Sequence, residues 1–263
     1  MPAKKKDVTP TPGKIPRLPT LPRVGILTLL KKFPLIHKTL RWALRIVIAI
    51  VLIDIGYMMA IWPEWKWYGY GPVPKSQFII NYERQQQQNP TLRRLRWSTI
   101  AINAVPDRAL RVFLAAEDSR FFNHGGIDTE AFKKSMEYNW ERKRFVYGAS
   151  TISQQTAKNL FLSPSRDPFR KWHELALTFA MENNLSKRRI LELYLNVAEF
   201  GPGIYGIEAA SRYYFGHSAK SLTPAKAAEL AATLPAPSKH NPKTRSSFFL
   251  KKVKKIRRNA GIS

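Results

Sequence analysis

A glutamate stands where an amphipathic helix should be apolar. In AAEDSRFFNHGGID, Ala115 to Asp128, the residues Leu110, Phe113, Leu114 and Glu117 fall at i, i+3, i+4 and i+7, with Phe121 one turn further on. Glu117 therefore continues the buried stripe of a helix that Pro106 and Asp107 begin. A carboxylate on that face is either paired, with Arg120 or Arg111 as the near arginines, or functional. Burial disfavours its charged form and raises its pKa, which is the tuning that a general acid or base working near neutral pH needs. The turn Asn123-His124-Gly125-Gly126 favours function. Paired glycines after a helix accept positive φ, and so let His124 and Asp128 fold back toward the carboxylate.

Two later stretches carry complementary chemistry. GASTISQQTAKNLFL, Gly148 to Leu162, opens with a permissive glycine, and Thr151 with Gln154 forms a capping box, so a helix begins there. Its amino terminus offers free N–H groups and a positive dipole end, to which Ser150, Thr151 and Ser153 add hydroxyls and Gln154 and Gln155 add amides. Lys158 lies on the same helix and Arg166 follows eight residues later, two cations suited to a phosphate. An ordinary capped helix with solvated cations has the same pattern. In RDPFRKWHELALTFAMENN, Arg166 to Asn184, one face holds Phe169, Trp172, Ala176, Phe179 and Ala180, and Glu174 falls nearly opposite. Glu174 either pairs with Arg170 one turn before it or is enclosed by Leu177 and Met181, in which case it is a second carboxylate for the site. His173 reads as a packed or surface histidine, because no second His or Asp sits at metal-ligand spacing.

The chain that must position these groups has 263 residues, 44% of them apolar and 12% aromatic, enough for one catalytic-size domain with appendages. Zero cysteines exclude disulfides and thiolate metal sites. A net charge of +26 directs the chain toward polyanions: nucleic acid, anionic lipid or a phosphorylated substrate. Residues 1–41 read as a disordered basic cytoplasmic tail. Behind Arg41 and Arg45, Ile46 to Trp62 is apolar enough to span a bilayer, broken only by Asp54, and Trp62, Trp65, Trp67, Tyr68 and Tyr70 form an interfacial belt after it. With no clear cleavage site, 42–65 is a retained signal anchor, and the preceding cations place the amino terminus in the cytoplasm. Residues 66–104 form a turn-rich connector in which Gln85 to Gln88 is a polar tract that need not pack and Arg93 to Val105 is a short strand or extended arm. Helices follow over Thr129 to about Arg142, with Phe132, Met136 and Trp140 on one face, from Ser186 until Gly201, Pro202 and Gly203 stop it, and over Ile207 to Phe215 and Thr223 to Leu234. The last segment, 241–263, has no acid and interleaves Phe248, Phe249, Val253 and Ile256 with six cations, from Lys251 to Arg258. That is a basic amphipathic helix suited to an anionic bilayer.

Taken together the stretches resemble the peptidoglycan glycosyltransferase family, and closely its monofunctional biosynthetic transglycosylases. The marks are EDSRFFNHGGID at Glu117, GASTISQQTAKN at Gly148, RKWHE at Arg170, KRRILELYLNVAEFG at Lys187 and the LPAP ending at Pro237. Several long motifs in order are far more specific than one short pattern. The resemblance implies a mainly α fold, a lysozyme-like glycosyltransferase lobe over 105–240 with a small membrane-proximal jaw, preceded by one transmembrane helix; no transpeptidase domain is expected. It implies polymerisation of lipid II into β-1,4 glycan strands, with inversion and release of undecaprenyl diphosphate, by a domain on the periplasmic side of the inner membrane. In that family's terms Glu117 is the general base and Glu174 the second essential carboxylate, which orients or stabilises the donor. Lys158 and Arg166 face the diphosphate, Arg170 and Lys171 support them, and Ser150, Thr151, Gln154 and Gln155 wall the donor site. Asp118 and His124 support the geometry. The sequence requires no cofactor and shows no dedicated metal site, although the family's chemistry is compatible with a divalent metal near the diphosphate. The implied partners are lipid II, the growing glycan strand, the anionic membrane and other cell-wall synthesis proteins.

Three rival functions remain from the residues. A lytic glycosidase also uses an isolated glutamate, but a neutral glycan needs no cationic clamp. A non-catalytic scaffold recruiting through the helix around Asp54 leaves Glu117 and Glu174 without purpose. Nucleic-acid binding is not expected, since the basic stretches fall on both sides of the membrane segment and carry no motif.

Overall fold

The computed structural model describes residues 34–143, 150–164 and 169–262, with side chains from 38 onward. Gly148, Ala149, Arg166 and most of the basic tail lie outside the described residues. The chain divides into two compact units, residues 1–57 and 58–263. Helix α1 (Pro34–Ile61) supplies most of the described first unit and begins earlier than the apolar run alone suggests. Its stretch Lys38–Ile61 is long and apolar enough to cross a membrane: 24 residues at about 1.5 Å each exceed a hydrocarbon core of about 30 Å.

The second unit is mainly helical. Two short helices, α2 (Trp65–Gly69) and α3 (Gln77–Gln88), lead into strand β1 (Arg96–Trp97) and a 3-10 turn at Ile102–Ala104. The glutamine tract, which need not pack, forms the last turn of α3 with Gln85, Gln87 and Gln88 exposed; the helix is started by Ser76, whose hydroxyl accepts from the Ile79 N–H. The aromatic belt divides. Trp67 and Tyr70 are exposed, whereas Trp65 and Tyr68 stack edge-on against Phe161 at 5.6 and 5.0 Å. Arg189 fastens this segment by donating to the carbonyls of Tyr68 and Gly71.

The remaining elements are α4 (Asp107–Glu117), α5 (Thr129–Glu141), α6 (Ile152–Phe161), α7 (Arg170–Asn184), α8 (Lys187–Val197), β2 (Glu199–Gly201), β3 (Ile204–Tyr205), α9 (Ile207–Phe215), α10 (Pro224–Thr233) and α11 (Ser247–Asn259). Local chemistry sets most of their ends. Asp128, Thr151, Ser186, Thr223 and Ser246 each accept a backbone N–H from the first turn of the helix they precede. Gly216 takes the left-handed conformation that stops α9. The small sheet has the order β1-β3-β2, with β1 parallel and β2 antiparallel to β3.

The core forms around α6, which packs on α7 and α8, and around α10, which packs on α4 and α11. Ile190, Leu191, Tyr194, Leu195 and Val197 of α8 are all buried there, as their spacing requires. Two apolar faces named from the sequence point outward. On α5 the apolar face is exposed, Trp140 by 85%. On α7, Phe169, Trp172 and Phe179 face outward while His173, Glu174, Leu177 and Met181 are buried. Periodicity finds an apolar stripe but does not say whether protein or lipid covers it.

The carboxyl-terminal helix α11 also departs from expectation. Most of its apolar face is not a free surface: Phe249 and Ile256 are buried, Val253 packs beside them, and the helix lies on α10 and α4, while Phe248 stays exposed.

Candidate active site

The carboxylate at the end of α4 is enclosed as its spacing requires. Ala109, Leu110, Val112 and Phe113 bury the helix, and the Glu117 side chain is left 11% exposed. Gln155 on α6 donates from Nε2 to Glu117 Oε2 at 3.1 Å, and the Tyr194 hydroxyl on α8 donates to the other end of that amide at 3.3 Å. Burial pushes the Glu117 carboxyl above the ordinary range; Lys252 and the Gln155 hydrogen bond oppose the rise, and Asp118 adds to it. Neither Arg111 nor Arg120 is the partner. Arg120 turns to Asp128, Nε to Oδ2 at 3.5 Å, and to Glu130. The cation beside Glu117 is Lys252 of α11, Nζ to Oε1 at 3.9 Å.

Asp118 and His124 build the turn that carries this carboxylate. Asp118 Oδ2 accepts from the Ile152 N–H at 3.0 Å, joining α4 to the amino terminus of α6. His124 Nδ1 accepts from the Gly126 N–H at 3.2 Å, so Nε2 carries the proton and lies 3.1 Å from both Asp118 oxygens. Gly126 adopts φ +97°, and a Cβ there would meet Thr178 Cγ2 at 2.8 Å. Its carbonyl accepts from the Thr151 hydroxyl at 2.6 Å. The paired-glycine turn therefore brings His124 to Asp118, one residue from Glu117.

Carboxylate oxygens of Asp118 and Asp128 and a ring nitrogen of His124 lie within 4.8 Å of one another. Their lone pairs are already engaged: Asp118 by His124 and Ile152, His124 by Gly126, and Asp128 by the Ala131 N–H and Arg120. A donor set filled with N–H groups does not suit a divalent cation.

On α6 the capping box is complete. Thr151 accepts from the Gln154 N–H, and Gln154 accepts from the Thr151 N–H at 3.0 Å. Gln154 is buried and its carbonyl oxygen is committed to that cap, while Ser150 is exposed. Ser153 donates to Glu182, which also pairs with Lys187 at 2.7 Å. Glu117, Asp118, Ser150 and Thr151 line a common cavity of about 420 Å³, closed on the far side by Lys134, Ser135 and Tyr138 of α5.

Lys158 follows Gln155 by three residues, so both lie on one face of α6. Gln155 reaches Glu117, and Lys158 meets the field of Glu174, Arg170 and Lys171 on α7. Burial depresses the Lys158 ammonium first of all; Glu174 restores it, and the two neighbouring cations depress it further. Glu174 is buried, 6% exposed, and pairs with Lys171. This is the enclosed alternative of the two that its position allowed. One helix thus links the largely enclosed Glu117 with the buried Glu174, and places the half-buried Lys158 in the field of the second. The arrangement can take a proton at Glu117 and stabilise negative charge near Lys158. Sequence reasoning missed Lys252 and Tyr194. Lys252 had a signal, a cation at the inward spacing between Phe249 and Ile256; Tyr194 had none beyond core periodicity.

A family model described as Transglycosylase matches residues 85–260. The chain is similar to the biosynthetic peptidoglycan transglycosylase of Nitrosospira multiformis, 37% identical over 82% of this chain and 94% of the relative. It is likewise similar to proteins of the same description from Methylobacillus flagellatus, 37% identical over 83% and 95%, and from Azoarcus sp., 42% identical over 77% and 88%.

Proposed function

The chain belongs to the transglycosylase family, a peptidoglycan glycosyltransferase that polymerises glycan strands in cell-wall synthesis, and from that premise we propose how its residues divide the reaction. Lipid II and the growing strand are the two reactants, one supplying the acceptor 4-hydroxyl and the other the donor sugar on its diphosphate. Ionised Glu117 takes the proton from the acceptor sugar's 4-hydroxyl. That oxygen attacks C1 of the donor muramyl sugar opposite the diphosphate, the new C1–O4 bond forms with inversion, and the electron pair of the broken C1–O bond leaves with undecaprenyl diphosphate. Burial makes Glu117 a stronger base than a surface carboxylate, and general-base catalysis contributes typically ~10²- to 10⁴-fold.

Charge gathers on the diphosphate as its bond breaks, so cations fixed beside it lower the barrier more than they stabilise the bound substrate. Lys158 is placed for this, with Arg170 and Lys171 supporting it and Arg166 as a further phosphate ligand outside the described residues. Glu174 holds this cationic group and orients the donor. Ser150 and Gln155 face the sugars or the base, while Thr151, Gln154, Asp118 and His124 hold the backbone that carries them. The observation that carries the reading is that one helix, α6, hydrogen-bonds Glu117 through Gln155 and sets Lys158 in the field of Glu174.

The substrate's lipid tail requires a membrane setting. α1 as a single-pass anchor of the inner membrane supports it, and Arg41 and Arg45 before the apolar run favour a cytoplasmic amino terminus with the catalytic unit in the periplasm. Exposed Trp140, Met136 and Phe132 on α5 and Trp172 and Phe179 on α7 give the catalytic unit apolar surface for the same lipid phase.

The test uses labelled lipid II and the detergent-purified full chain. Polymer length should grow with time, and Lys158→Ala should reduce the rate by about 10²-fold or more. Shortening of preformed glycan without polymer growth would instead make the chain a lytic enzyme.

A further inference from the structure

Helix α11 is built to deliver one side chain. Phe249 and Ile256, seven residues apart, are buried against the catalytic unit, and Val253 packs between them. Lys252 lies at i+3 from Phe249 and i−4 from Ile256, on the inward side. Its side chain is 23% exposed, and Nζ reaches to 3.9 Å from Glu117 Oε1. Lys251, Lys254 and Lys255 on the same helix are not buried with it. The chain contains no acid beyond Glu229, and Glu229 faces Arg245 at 3.8 Å. The carboxylate that Lys252 meets is therefore the one at the reacting centre.

We propose that Lys252 is a positioning residue for Glu117, the counter-charge that keeps the base ionised between transfers, and that α11 is part of the catalytic site rather than an appendage to it. The inference rests on the reading of Glu117 as the base. Among the described residues the charges around Glu117 leave this role to Lys252. Asp118, which follows Glu117 in the chain, acts in the opposite sense. Tyr194 of α8 is hydrogen-bonded to Gln155 and feels the field of Glu117 but is no cation, and Gln155 of α6 is uncharged. Lys255 acts on Lys252 and not on Glu117. Burial raises the Glu117 carboxyl and disfavours its ionised form, whereas an ammonium within 4 Å favours that form. After each addition the same ammonium favours loss of the proton that Glu117 has just taken, which readies it for the next acceptor.

The experiment is the pH profile of lipid II polymerisation by the full-length enzyme and by Lys252→Met, Lys252→Gln and Lys252→Arg, with Lys254→Met as an outer-face control. For Lys252→Met and Lys252→Gln the acid limb of kcat should move to higher pH. Their activity relative to wild type should be about tenfold or more lower at the acid end than at pH ~9, with KM for lipid II changed by less than about twofold. Lys252→Arg should restore the limb and Lys254→Met should leave it in place. Thermal melting identifies any neutral variant that fails to fold, and the other neutral variant then decides. An unmoved acid limb overturns the inference, and so does a loss confined to KM, which would make Lys252 a substrate contact. Glu117→Gln, run alongside, separates the two levels. If it stays active the base reading itself falls; if it is inactive and the Lys252 limb is unmoved, only this inference falls.

Discussion

Glu199 gives a prediction that can be worked through from the structure. It opens β2, pairs across the sheet with Tyr205, and lies in the field of Tyr82 and Tyr214. No cation among the described residues forms an ion pair with it. Burial pushes its carboxyl from 4.5 to about 7. The folded state then holds a proton that the unfolded chain releases near pH 4.5. Stability from this group is complete below that value, declines as pH rises toward 7, and is lost above it. A difference of that size corresponds to about 3 kcal/mol. Glu199→Gln keeps the shape and removes the titration. Urea unfolding of both proteins in the same detergent, from pH 4.5 to 8.5, should show the variant gaining on wild type by about 2–3 kcal/mol across that interval, with most of the change below pH 7. A pH-independent difference between the two, or a gain by wild type as pH rises, would refute the assignment of a buried, unpaired carboxyl.

Two further substitutions test the scaffold of the site. Gly126→Ala forces a Cβ onto Thr178 at a positive φ, and should lower stability by about 1–3 kcal/mol in thermal melts and displace His124 from Asp118. Asn196 is buried; its amide accepts from the Ile100 N–H at 2.8 Å and donates to the Ile100 and Glu192 carbonyls. Asn196→Ala leaves the Ile100 N–H and carbonyl without that partner and should cost about 2–4 kcal/mol by urea unfolding, whereas a neutral result would mean that water replaces the side chain.

Much of the site is legible in the sequence because local rules write it. The Glu117 stripe, the Thr151–Gln154 capping box, the glycine turn and the helix ends at Ser186, Thr223 and Gly216 all depend on residues within a turn or two of one another. The contacts that were not legible join distant segments. Lys252 reaches Glu117 across 135 positions of chain, as their numbers show; Tyr194 meets Gln155 across 39. The apolar faces of α5 and α11 have similar spacing, yet Trp140 is exposed and Phe249 buried. Hydrophobic periodicity specifies that a face leaves water, and tertiary packing alone decides which surface receives it. Glu174 belongs to the same class: its spacing allowed either a surface pair or burial, and the packing of α7 on α6 chose burial.

The most direct test of the account is single-turnover glycan formation by Glu117→Gln with saturating lipid II. The amide keeps the shape of the side chain and cannot accept the acceptor's proton. The rate should fall by ~10²- to 10⁴-fold while lipid II binding stays within a few-fold of wild type. A rate within a few-fold of wild type would contradict the account, because the carboxylate around which α4, α6 and α11 converge would then not be the base.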